Sequence, residues 1–143
     1  MNIIEVGYKL KNGRKDERIN LLSHLSDVFE AKVSIENLDE LINLLIKSAV
    51  DETENEVKEE LFDTLLIAAT YRNISSINLD LIEEHLLSLP IQCLALGIEV
   101  LAASHNKKYS SVIQQLKNHH DTKIASIAEI AFIEIGGGDN KLT

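Results

Sequence analysis

The spacing of the aliphatic residues constrains this chain most. Ile19, Leu22, Leu25 and Phe29, then Leu38, Leu41, Ile42, Leu45, Ile46 and Ala49, then Val57, Leu61, Leu65 and Ala68 recur at steps of three and four. Such steps put side chains on one stripe of a helix, whereas a half-buried strand needs strict alternation. The punctuation agrees, since six glycines and one proline in 143 residues leave few of the tight turns that a β-sandwich requires. Apolar residues make up 45% of the chain, without Trp and with three each of Tyr and Phe, which suits interdigitating aliphatic helices. A chain this long buries roughly 70% of its unfolded surface, so one domain over 1–143 is expected.

The pattern predicts an all-α fold of about seven helices. Residues 1–33 form a lead-in and a capping helix. Ile4, Val6, Tyr8 and Leu10 alternate as in a strand, but no second strand follows to pair with them, which leaves strand, helix and coil open for 1–12. Lys11-Asn12-Gly13 marks a turn before the helix of Ile19 to Phe29. Ser34 is the expected cap of the next helix. The run DETENE at 51–56 breaks the stripe and places acids at the positive end of the helix that follows. Asn78 or Ser76 opens a short helix carrying Leu79, Ile82, Leu86 and Leu87, and Pro90 starts the next, to about Ser104. Tyr109, Val112, Ile113 and Leu116 mark another, and 122–135 the last.

Charge narrows the function classes. Fourteen Lys and Arg against 23 Asp and Glu give −9, which opposes a general nucleic-acid role and suits a basic protein partner. Cys93 is alone and forms no internal disulfide, and MNIIEVGYKLKNGRK lacks the apolar stretch of a secretion signal. The most apolar window, IQCLALGIEVLAA at 91–103, holds Gln92 and Glu99 and is too short to span a bilayer. A cytoplasmic protein without membrane contact is expected.

The chemistry-bearing residues do not assemble into a site. His119, His120 and Asp121 are adjacent, so their side chains diverge, and no further ligand follows at three or four residues. They read as a polar turn with Asp121 or Thr122 as a helix cap, and His105 beside Lys107 and Lys108 reads likewise. Neither Glu83 nor Glu84 stands three or four residues from His85, and Cys93 lies on an apolar helix without a paired His. Gly136-Gly137-Gly138 follows a helix, the wrong end for cradling a phosphate, and reads as a helix stop. No catalytic residue, metal or cofactor is expected.

Internal repetition is the remaining signal. VKEELFDTLLIAA from Val57, PIQCLALGIEVLA from Pro90 and IASIAEIAFIEIG from Ile124 overlay, with Leu61, Leu94 and Ala128 at the fifth place, Leu65, Ile98 and Phe132 at the ninth, and Ala68, Leu101 and Ile135 at the twelfth. The last unit, SVIQQLKNHHDTKIASIAEIAFIEIGG, resembles a HEAT-type repeat, in which Asp121, Ile124, Ala128, Ala131, Phe132, Ile135 and Gly136 would be structural positions. Leu61 stands where a small residue is usual and the second repeat lacks the turn Asp. The resemblance covers about 34–137 as three helix pairs, leaving 138–143 as a flexible tail. It implies a right-handed α-α superhelix; an irregular helical bundle would show the same periodicity.

In such a stack the second helices line one concave surface. Their outward faces carry Glu56, Glu59, Glu60, Asp63 and Thr70; then Gln92, Leu96, Glu99 and Ala103; then Ser126, Glu129, Ile130 and Ile133. By this resemblance they would form a groove, acidic at one end and apolar at the other. The expectation is a non-catalytic module binding a basic protein, most concretely an immunity or antitoxin-like inhibitor. The alternative is a self-associating structural or regulatory scaffold, a homodimer through the last helix, because a terminal repeat ordinarily presents a polar outer face. An enzyme using His85 or His119 with a metal is the third.

Overall fold

A computed structural model of the chain describes residues 2–136. The described residues form eight α-helices and no strand: α1 (Ile3–Asn12), α2 (Lys15–Glu30), α3 (Leu38–Asp51), α4 (Asn55–Tyr71), α5 (Asp80–His85), α6 (Ile91–Ala103), α7 (Ser110–Leu116) and α8 (Thr122–Glu134), with single 3-10 turns at Leu86–Ser88 and Lys107–Tyr109. They divide into two compact units, Met1–Ile77 and Asn78–Thr143. The boundary falls between the first and second of the expected helix pairs.

In the first unit the ambiguous lead-in is helical. Asn2 accepts the Glu5 amide at 3.2 Å, opening α1, and Val6 and Leu10 face inward. The alternation is thereby split, leaving Ile4 and Tyr8 82% and 69% exposed. Ser34 does not cap α3. That helix begins at Leu38, after Asn37 in the left-handed conformation at φ 58, which a short polar side chain tolerates better than most.

α2 and α3 both pack on α4, and α1 rests on α2 and α3. Leu41, Ile42, Leu45, Ile46 and Ala49 of α3 meet a core that includes Val57, Leu61, Phe62, Leu65 and Ala68 of α4. Thr64 is buried on α4 and its hydroxyl lies 3.0 Å from that of Ser26 on α2, so a small polar pair bridges the two helices. Two cations close helix ends. Lys58 is 7% exposed, and its Nζ donates to the carbonyls of Ala49, Val50 and Glu52 at 2.7, 2.9 and 3.2 Å. Arg72 donates from Nε to Phe29 O at 2.9 Å, from Nη2 to Val28 O and Ala31 O, and from Nη1 to Val33 O at 2.8 Å.

In the second unit α8 packs on α6 and α7, and α5 packs on α6. Leu87 is 63% exposed, because the chain tightens into a 3-10 turn at Leu86 and three residues per turn shift the stripe, whereas Leu86 stays buried. Tyr109 is buried and its hydroxyl accepts the Leu79 amide at 2.8 Å while donating to Asp80 Oδ1 at 2.9 Å. Lys108 Nζ reaches the same carboxyl oxygen at 2.8 Å. The lysine first, then the tyrosine hydroxyl, hold the Asp80 carboxyl below its usual range, and burial pushes the Tyr109 hydroxyl up. Because Asp80 is lowered in the folded state, its contribution to stability is present at neutral pH and is lost as pH falls through the depressed value. Tyr109→Phe is expected to cost about 1–2 kcal/mol, by leaving a buried amide without an acceptor, and to raise the Asp80 carboxyl toward the usual range. Thermal unfolding and carboxyl NMR titration measure the two effects.

Candidate partner-binding surfaces

The acids singled out in the sequence lie on α4, where Glu56, Glu59 and Asp63 are exposed and Glu60 is half-buried. Steps of three and four along a helix make them neighbours. The Glu60 carboxyl is raised, by partial burial first and then by Asp63, Glu59 and Glu56. Lys15 of α2 approaches one end of the row, 3.1 Å from Glu56 and 3.8 Å from Glu54, and its ammonium is raised by the hydrogen bond to Glu56. Among the described residues Glu59, Glu60 and Asp63 enter no ion pair. Thr70, at the far end of the same helix, spends its hydroxyl on Leu66 O at 2.8 Å.

The second surface belongs to the other unit. α6 presents Gln92 and Glu99 to solvent and half-buries Leu96 and Ala103, while α8 exposes Ser126, Glu129, Ile130 and Ile133. Ile130 and Ile133 are 67% and 64% exposed, one turn apart. Where α6 meets α8, Glu99 feels Glu134: partial burial, then that like charge, raises the Glu99 carboxyl. Glu134 was not among the sequence candidates, although it stands four residues beyond Ile130 and the helical step marks it.

The histidines lie in a turn, as expected, but their side chains do not diverge. His119 Nδ1 accepts the Asp121 amide at 3.0 Å, the His119 and His120 rings stack at 4.3 Å, and Asp121 caps α8 by accepting from Lys123 N and Ile124 N at 2.9 and 3.2 Å. His85 Nδ1 lies 3.0 Å from Leu81 O, and Cys93 is buried. Gly136 has φ 91, the left-handed stop that glycine adopts without penalty; Gly137, Gly138 and the 138–143 tail lie outside the described residues. No group of three His, Cys, Asp or Glu among the described residues has the geometry to hold a metal ion. No helix among them is long and apolar enough to cross a membrane.

The first unit also holds an open cavity of about 620 Å³ beside α1 and α3, lined in part by Lys11, Lys47, Asp51 and Glu52. Arg18 and Glu52 pair there, nearly buried, and the other Glu52 oxygen accepts the amides of Thr53 and Glu54 at 3.1 and 2.9 Å. Glu52, held by Arg18, is thereby committed to the α3–α4 connection. The chain matches no protein-family model and no curated protein sequence.

Proposed function

We propose that the protein is a non-catalytic binding module that takes a basic protein partner on the acidic row of α4. The observation that carries this is the crowding of Glu59, Glu60 and Asp63, which no cation of the described residues pairs; partial burial, and then the charge of these neighbours, raises Glu60. Charge of one sign gathered on a helix steers an oppositely charged surface onto it and fixes its register. The concrete form of the proposal is an immunity or antitoxin-like inhibitor of a basic toxin, favoured by a net charge of −9. A HEAT-like superhelix belongs to the same reading. It is supported by the pairing of α3 with α4, α5 with α6 and α7 with α8, and by the burial of every overlaid fifth, ninth and twelfth place except Phe132.

Two variants of equal net charge test the row. Immobilised Glu59→Lys/Asp63→Lys protein is expected to lose salt-sensitive capture of basic proteins from native lysate, by at least about tenfold, while Asp16→Lys/Glu17→Lys protein keeps it. Equal loss in both rejects the α4 row. The raised carboxyl supplies a second test: a partner cation beside Glu60 favours its charged form, so binding releases protons and tightens as pH rises through the raised value. Calorimetry in buffers of different ionisation enthalpy reads that release directly.

A further inference from the structure

We infer that the outer face of α8 binds a second copy of itself, antiparallel, in the register that sets Lys123 of each copy opposite Glu134 of the other. Lys123, Ile127, Ile130 and Glu134 are separated by steps of four, three and four, which puts them on one line up the helix, with Ser126 and Ile133 beside it. The middle of this line is apolar and the ends carry opposite charges. Ile130 and Ile133 are exposed, as are Lys123 and Glu134.

Both end charges are placed against the helix's own electrostatics. Lys123 sits in the first turn of α8, where the macrodipole disfavours a cation, and Glu134 is its last residue, where an anion is disfavoured. Neither enters an ion pair among the described residues, and Glu134 instead meets the like charge of Glu99 on α6. A lone surface helix gains nothing from this arrangement.

Charge complementarity selects the occupant. A basic helix would match Glu134 and Glu99 but repel Lys123; an acidic one would do the reverse. A reversed copy of α8 satisfies both ends. About the twofold axis each Lys123 reaches the Glu134 of the other copy, next to Glu99, and Ile127 comes opposite Ile130, so the same contacts form twice. The span from Lys123 to Glu134 is eleven residues, about 16 Å of helix, so the contact is smaller than the roughly 800 Å² per partner of a standard interface. A weak dimer follows, with a dissociation constant on the order of 100 μM. It is independent of the α4 row.

Sedimentation equilibrium of the full chain, from about 10 μM to about 1 mM, tests it. The wild type is expected to dimerise reversibly and Ile130→Glu to remain monomeric. Lys123→Glu and Glu134→Lys are each expected to weaken the dimer about tenfold, and their combination to return it to within about twofold of wild type. Either single change improves the match to the macrodipole, so unchanged or higher thermal midpoints establish that folding is intact. A monomer throughout the range overturns the proposal. So does a dimer that ignores the single changes or is not rescued by the combined one.

Discussion

Replacing Lys58 with alanine is expected to lower the free energy of unfolding by about 3 kcal/mol. The last carbonyls of a helix have no partner within it and carry the negative end of its dipole. At the end of α3 those of Ala49 and Val50, with Glu52 beyond them, accept from an ammonium supplied by α4. Alanine removes the donor, leaves a carbonyl in buried surroundings without one, and empties the space of the lysine stem. Lys58→Met refills most of that space and separates the two contributions. It is expected to recover about a third of the loss. Guanidinium titrations read the effect as a lower midpoint at unchanged slope. A methionine variant as stable as the wild type would mean that the ammonium contributes nothing beyond packing.

Arg72→Ala is expected to cost about 2 kcal/mol, and Arg72→Lys to retain less than half of the arginine's contribution. The guanidinium presents its donors in a rigid plane, and here Nε, Nη1 and Nη2 meet four carbonyls at the end of α2 and just beyond it. A lysine ammonium has three donors at a single point and no fork, so it cannot reach carbonyls spread from Val28 to Val33. Two of the four acceptors lie on exposed residues and find water when the arginine is lost, which keeps the cost below that for Lys58. The same titration measures it, and a lysine variant equal to the wild type would show that charge alone matters.

The stripes of α2, α3, α4, α6 and α8 were legible because burial of aliphatic side chains on one helical face leaves a period of its own. α1 was not, since its apolar residues also satisfy a period of two and only the lack of a partner strand decides between them. The start of α3 was misplaced because Ser34 is a common cap, whereas Asn37 acts through a left-handed backbone. Neither Lys58 nor Arg72 was identifiable as a cap. Each reads as an ordinary surface charge, and what buries it is where the end of another helix arrives.

The candidate surfaces divide in the same way. The row on α4 is local and follows from helical steps alone. Glu134 was visible on the α8 wheel beside Ile130, but its repulsion of Glu99 depends on how α6 packs against α8.

The acceptors of Arg72 stand 39 to 44 residues before it, a separation that ties the end of one helix to the closure of a long loop. Nothing local to α2 supplies these donors, so its end is sealed only when the intervening chain closes back on it and the entropy of that closure has been spent. The end of α2 is thus held by the fold of the first unit and not by that helix alone.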